Sequence, residues 1–245
     1  MSVSFRRRLC LWMLGLSLSL PLPGSSAGAQ TLFIATEDSP PFNMPRGGEI
    51  TGIATDIVRE ALARAGIENS ISLLPWQRAY TTAQRRADAC VYATTLTEER
   101  RPLFKWIGPL VHNTQVLFGR VDRRIRIESL ADLGHYLVGG YEGDAVTVYL
   151  ESHGVAVRKA TSDALNLKML QMGRIDLWAT GEAIGGHIAK RQGATDVAPV
   201  FRVQETSMYL ACNPAVADEL VAKANAALEQ MRRDGTTDRI AAAYR

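Results

Sequence analysis

The stretch Asp88–Leu110 constrains the fold of this chain more than any other. It begins with an apolar run, Ala89–Ala93, which is too short for a helix and suits a buried strand. Thr94 and Thr95 follow at once, and Arg100 comes a few residues later. A strand that leads into hydroxyls and a guanidinium predicts a polar floor at the carboxyl end of a sheet, where open α/β proteins bind ligands. The guanidinium fork has the geometry to bind a carboxylate.

Residues 1–29 have the features of a secretion signal. A basic segment, Arg6–Arg8, precedes an apolar run, Leu9–Leu22, and Ala27–Ala29 matches the A-x-A cleavage pattern. A transmembrane anchor is the alternative, but the apolar run is too short for a span and prolines interrupt it. We therefore predict cleavage after Ala29 and a periplasmic mature protein.

Charge and cysteine content exclude several functions. Three of the 28 basic residues lie in the leader, which leaves 25 against 25 acidic residues and no basic stripe for nucleic acid or membranes. The histidines and cysteines lack metal-ligand spacing, and we expect no metal and no cofactor. Outside the leader, the cysteines are Cys90 and Cys212. An oxidising compartment permits a disulfide, but both lie in apolar runs, and we favour two buried thiols.

Apolar runs that lead into polar, helix-starting residues recur along the chain and predict an α/β protein. Such polar residues stand at 37–42 and 75–78 in the first half, and at 141–144, 161–163 and 180–182 in the second. Residues of these kinds cap helices, whose first N–H groups can bind ligands. Other strands are expected at 114–121, 155–157, 200–203 and 208–212.

The opening stretch resembles the bacterial extracellular solute-binding proteins of family 3, the amino-acid type. Their pattern, D-a-x-x-x-x-x-T-x-T-x-x-R followed by an aromatic residue and a proline, is matched by Asp88, Thr95, Thr97, Arg100, Phe104 and Pro109. The resemblance implies a two-lobed α/β fold of the type II periplasmic-binding-protein-like class, with two strand crossings that form a hinge. It also implies that Thr95 and Arg100 hold the carboxylate of a ligand.

Two departures from the family pattern bear on the ligand. Asp144 stands where the family has a serine or threonine, and its charge would repel a nearby carboxylate. Gly181 stands where amino-acid receptors carry the acid that holds the ligand's ammonium group. Glu182, Asp144 or Glu142 can replace that acid. We therefore expect a small carboxylate-bearing or amino-acid-like ligand rather than a common proteinogenic amino acid.

The two series of strands and helices divide the chain after the leader. Lobe 1 is predicted to comprise residues 30–118 and 206–245, and lobe 2 residues 119–205. For Trp76 the alternative to ligand contact is a core anchor, and for Arg78 it is a solvated helix charge. The candidate ligand-binding residues are Asp38, Ser39, Trp76, Arg78, Thr94, Thr95, Arg100, Tyr141, Glu142, Gly143, Asp144, Thr180 and Glu182.

The favoured function is that of a monomeric periplasmic receptor whose lobes close on a small molecule by hinge motion. It would serve a permease of an ABC transporter or a membrane sensor. The alternative is an enzyme on the same fold, similar to dehydratases that act on carboxylated cyclohexadienes, with Glu182, Glu142 or Asp144 as the positioned acid. Because no nucleophile–base pair is evident, binding is preferred to catalysis.

Overall fold

The computed structural model describes residues 31–244, so the leader lies outside the described residues. Lobe 1 begins with alternating strands and helices, because short apolar runs here alternate with amphipathic segments. A turn at Gly47 and Gly48, both with positive φ, joins two short strands into a hairpin. The elements are β1 (Leu32–Thr36), β2 (Met44–Arg46), β3 (Glu49–Thr51), α1 (Ile53–Arg64), β4 (Asn69–Leu73), α2 (Trp76–Arg85) and β5 (Ala89–Thr95).

Lobe 2 repeats this alternation after a long crossing strand, β6 (Lys105–Arg120). A second crossing strand, β10 (Val197–Cys212), returns to lobe 1, where α6 (Asp218–Arg233) and α7 (Thr236–Ala242) complete the described chain. The elements of lobe 2 are β7 (Val138–Tyr141), α3 (Ala145–Ser152), β8 (Val157–Ala160), α4 (Asp163–Gln171), β9 (Leu177–Gly181) and α5 (Glu182–Arg191).

The two crossing strands connect the lobes. They pair antiparallel along their length, and the eight strands run in the order β4-β1-β5-β10-β6-β9-β7-β8. The prediction that one strand begins at residue 114 was wrong, since β6 begins at Lys105. The two strands expected at 200–203 and 208–212 are one strand, and the strand expected at 155–157 begins at Val157. The predicted lobe limits, 118 and 206, fall inside the crossing strands and stay predictions.

The core of lobe 1 lies on both faces of its sheet. Alternate residues of a strand point to opposite faces. Ile34 and Cys90 accordingly pack with α1 on one face. Ala35 and Val91 pack with α2 on the other. This packing fixes the start of α2 at the carboxyl edge of the sheet, beside the end of β5.

Cys90 and Cys212 form a disulfide, so the favoured expectation of two buried thiols was wrong. The two residues are directly opposite each other in the antiparallel pairing of β5 with β10, and both are fully buried. Their backbone proximity follows from a pairing between segments 122 residues apart. Among residues 31–244, no helix has the length and apolar character needed to cross a membrane.

Candidate functional site

The two lobes meet at the backbone carbonyl of Gly143. The indole Nε1 of Trp76 donates to this oxygen at 3.1 Å, and the Nη2 of Arg100 donates to it at 2.9 Å. Arg100 also donates from Nη1 to the carbonyl of Thr95 at 3.3 Å. Two side chains of lobe 1 therefore converge on one acceptor in lobe 2. We call this set of contacts the Gly143 bridge.

Local structure directs the guanidinium of Arg100 towards lobe 2. The hydroxyl of Thr97 accepts from the backbone N–H of Arg100 at 3.3 Å, as expected for a residue that caps this turn. The guanidinium carbon lies 5.4 Å from the ring centroids of both Trp76 and Tyr80. Such cation–aromatic contacts favour the partly desolvated charge. Burial lowers the pKa of Arg100, although the group stays charged at neutral pH.

Gly143 allows this close approach because it lacks a side chain. Its φ is +78°, a conformation that favours glycine. A Cβ atom here would lie 2.4 Å from Nε2 of Gln77 and 3.2 Å from Nε1 of Trp76. A larger residue would therefore displace the end of the Gln77 side chain and crowd the indole of Trp76.

A cavity of about 390 Å³ lies between the lobes on one side of the bridge. Four carboxyl groups line it, and among the described lining residues Arg191 alone carries a positive charge. Both lobes contribute, since two acids follow β1 and the other two start helices of lobe 2. We call this space the acidic cavity, and its acids are Glu37, Asp38, Asp144 and Asp163.

Burial favours the protonated form of all four acids, Asp38 included. It is the main cause that raises the pKa of Glu37 to about 8, against a hydrogen bond from Tyr141 that lowers it. Burial likewise raises the pKa of Asp163 to about 7, and the charge of Asp144 adds to this rise. The pKa of Asp144 is raised by burial as well. The cavity therefore holds carboxyl groups that readily exchange protons near neutral pH.

Two of the acids are fixed by helix starts. Asp144 caps α3, with Oδ1 accepting from the N–H of Val146 at 2.9 Å. Asp163 is the first residue of α4, and its Oδ1 accepts from Nε1 of Trp178 at 2.8 Å. Trp178 is buried in the core of lobe 2 beside Phe118, at a centroid distance of 5.2 Å. The carboxyl of Asp163 is thus held on a rigid support.

A second cavity, of about 580 Å³, lies on the other side of the Gly143 bridge. Its lining includes Thr95, whose carbonyl binds Arg100, and Ala145, two residues after Gly143. The hinge strands contribute His112 and Glu205. The bridge therefore lies between two separate spaces in the interlobe cleft.

The structure brings many of the predicted site residues together. Asp38, Ser39, Tyr141 and Asp144 line the acidic cavity. Trp76, Arg100 and Gly143 form the bridge, and Thr95 lines the second cavity.

Other predicted residues lie elsewhere. Thr94 is buried, and its hydroxyl donates to the carbonyl of Val91 at 3.2 Å. Arg78 lies in a shallow groove on the outer face of α2. Glu142 and Glu182 are exposed and line neither cavity. Thr180 is buried, with its hydroxyl beside the carboxyl of Asp163.

Sequence reasoning missed Glu37 and Asp163 as site residues. Both stand directly after a strand or at a helix start, as the predicted candidates do. The argument that polar residues gather where strands end and helices start therefore applies to these two acids as well. Charges at turns and helix starts are also common on protein surfaces, so the pattern alone does not single out these two acids.

Comparison with known proteins identifies the family. Residues 32–245 match the family described as bacterial extracellular solute-binding proteins, family 3. The chain belongs to this family. The predicted resemblance and the two-lobed fold are thereby confirmed. Membership implies a periplasmic or extracellular location. A search of the curated proteins gives no match.

Solved structures show the same fold. An ancestral arginine-binding protein bound to arginine is 25% identical, with a TM-score of 0.77 over 88% of this chain and 98% of that one. Its glutamine-bound form, also 25% identical, has a TM-score of 0.74 over 88% and 97%. A histidine kinase sensor domain is 20% identical, with a TM-score of 0.81 over 88% and 96%. An ancestral amino acid-binding protein, a precursor of cyclohexadienyl dehydratase, is 22% identical, with a TM-score of 0.75 over 88% and 95%.

Proposed function

We propose that this protein is a receptor that closes its two lobes around a small, cationic, amino-acid-like solute. The observation that carries the proposal is the acidic cavity, because residues of both lobes line it and four of them are carboxylic acids. A solute held there would contact both lobes and so favour the closed arrangement.

The charge of the cavity sets the class of ligand. An ammonium or guanidinium group would face several carboxyl groups and only one competing cation, Arg191. Burial of a cation without a partner costs several kcal/mol, so a site that supplies partners selects strongly for charge. The similar ancestral protein solved with arginine and with glutamine supports an amino-acid-like ligand.

The role that the family resemblance implied for Arg100 is revised in this proposal. Its Nη1 and Nη2 already donate to the carbonyls of Thr95 and Gly143, and Arg100 does not line the acidic cavity. An anionic head group held by Arg100 is therefore less well supported than a cation held by the acids. Arg191 lines the acidic cavity and would bind a carboxylate of the ligand.

The dehydratase-like alternative has less support. Its substrates would be carboxylated cyclohexadienes, and Arg191 is the one cationic residue among the described lining residues that could bind their carboxylate. Two of its three candidate acids, Glu142 and Glu182, are exposed. We therefore favour a binding function over a catalytic one for this cavity.

In the cell, the closed receptor would present its solute to an ABC-type permease or to a membrane sensor. The family of transport receptors supports the first partner, and a sensor domain of the same fold is consistent with the second. Cleavage after Ala29 stays a prediction, since the leader lies outside the described residues.

A matched pair of compounds tests the ligand class. L-arginine and L-citrulline have nearly the same shape, but only arginine carries a side-chain charge. We expect L-arginine, L-lysine or agmatine to raise the melting temperature of the purified protein, and L-citrulline and L-glutamate to leave it unchanged. A shift produced by L-glutamate but by none of the cations would contradict the proposed class.

A further inference from the structure

Gly181 cannot carry the ammonium-binding acid that amino-acid receptors have at this position. A Cβ atom on Gly181 would lie 2.5 Å from Oδ1 of Asn113 and 3.0 Å from Cδ1 of Ile184. Asn113 is only 4% exposed, so its side chain has little room to move away. The place of the usual carboxylate is therefore blocked by an amide.

Two buried polar side chains lie beside Gly181. Oδ1 of Asn113 has no hydrogen-bond partner among the described residues. Thr180 is 1% exposed and immediately precedes Gly181, and its hydroxyl acts as a hydrogen-bond donor to the carboxyl of Asp163, whose pKa it lowers. The end of β9 therefore supports the carboxyl of Asp163 and carries no carboxylate of its own.

Asp163 supplies a carboxylate next to these atoms. Its Oδ1 is held by Nε1 of Trp178, which lies three residues before Gly181 on β9. The hydroxyl of Thr180 also acts on this carboxyl as a hydrogen-bond donor. Asp163 lines the acidic cavity, so its carboxyl is open to a solute there as well.

The other acids of the cavity are less suited to this role. Asp144 uses its carboxylate to cap α3. Glu37 accepts a hydrogen bond from Tyr141, and its raised pKa keeps it largely protonated at neutral pH. Asp38 has an exposed side chain; partial burial still raises its pKa, and the charges of Arg191 and His187 oppose this rise.

We propose that Asp163 is the specificity-determining residue that binds the side-chain ammonium or guanidinium group of the solute. This inference rests on the proposed function. The cation would donate to the carboxylate of Asp163, beside the hydroxyl of Thr180.

The test is the substitution Asp163→Asn. Asparagine keeps an oxygen that accepts from Trp178 but loses the charge. The probe is whichever of L-arginine, L-lysine and agmatine binds the wild-type protein most tightly, measured by titration calorimetry. We expect its affinity to fall by at least about thirtyfold, as when one partner of a buried charge pair is removed. Asp163→Ser should give the same loss if the asparagine variant folds poorly.

Asp218→Asn is the matched control, because Asp218 is an exposed aspartate at the first position of α6. Its affinity for the probe should stay within about twofold of the wild type. Unchanged binding in both Asp163 variants would overturn the inference and leave the proposed function standing, as would a loss seen only in Glu182→Gln. If no cationic compound binds the wild-type protein, both the inference and the proposed ligand class fail.

Discussion

The indole N–H of Trp76 reaches across the cleft to the carbonyl of Gly143 at 3.1 Å, and this hydrogen bond joins the two lobes beside the acidic cavity. Arg100 donates to the same oxygen. A carbonyl with two lone pairs can accept both bonds. The closed arrangement is therefore stabilised by hydrogen bonds between the two lobes, in addition to the contacts that a solute would make.

Substitution of Gly143 should hold the lobes apart. In Gly143→Val the new side chain would clash with Gln77 and Trp76, and the two bonds to the carbonyl would be lost. We expect a larger radius of gyration in small-angle scattering with the probe bound, and weaker binding of that probe.

Gly154→Val is the control for backbone strain. Gly154 has a φ of +81°, close to that of Gly143, but no atom lies within 4 Å of its would-be Cβ. The variant should lose stability by about the same amount and keep the wild-type radius and affinity. Equal scattering curves for both variants would show that the bridge does not control closure.

Removal of the guanidinium should weaken solute binding through the loss of closure. Arg100→Ala deletes the bonds to Thr95 and Gly143, and hydrogen bonds to charged groups contribute about 1.5–3 kcal/mol. Calorimetry should therefore show roughly a tenfold or greater loss of affinity. Arg100→Lys should also bind poorly, because a point charge cannot replace the fork. Arg101→Ala removes an exposed neighbour that pairs with Glu98, and its affinity should be unchanged.

The disulfide should contribute substantially to stability. Cys90 and Cys212 close a loop with a sequence separation of 122 residues, and loss of a native disulfide costs about 2–5 kcal/mol. The double variant Cys90→Ala, Cys212→Ala should melt at a lower temperature than the wild type. With dithiothreitol present, the wild type should move towards the variant while the variant stays unchanged. If the variant and the wild type melt together without reductant, the bond is not stabilising.

The sequence predicted more of the fold than of the site. The residues that form the bridge were predicted, because strand ends and helix starts show where polar groups gather in an α/β protein. The hydrogen bonds from Trp76 and Arg100 to the carbonyl of Gly143 were not predicted. Every residue has a backbone carbonyl, and only the closed arrangement of the lobes brings this one within reach. The role of Asp163 depends on Trp178 holding its carboxyl, a contact between elements that no local pattern reveals.

The missed parts of the fold also depend on long-range contacts. β6 and β10 were predicted too short, because they carry polar residues at the crossings, where strand pairing alone defines them. The disulfide was missed for the same reason, as Cys90 meets Cys212 only once β10 has returned to lobe 1.

The affinity for a cationic solute should rise with pH between about 6 and 8. In the free protein, burial raises the pKa of Asp163 to about 7, so much of this carboxyl is protonated below neutrality. A bound cation favours the carboxylate and lowers its pKa, so binding releases a proton. For one such group the affinity at pH 8 should exceed that at pH 6 by about tenfold.

Several other groups act on this equilibrium. Glu37 has a raised pKa of about 8 and titrates in the same range, whereas burial lowers the pKa of His187. The remaining charged or titratable groups around the cavity are Asp38, Arg100, Tyr141, Asp144 and Arg191. Variants of the individual acids must therefore be compared to find which group releases the proton.

Titration calorimetry of the cationic probe at pH 6, 7 and 8 measures the effect, and buffers with different ionisation enthalpies count the released protons. Asp163→Asn should bind weakly with a shallower pH dependence, and His187→Gln measures the part of the slope that comes from His187, whose charge acts on Asp38. A wild-type affinity that is flat or falls as pH rises would mean that the solute does not meet a titrating carboxyl. A slope that persists in Asp163→Asn but disappears in Glu37→Gln would assign the proton to Glu37.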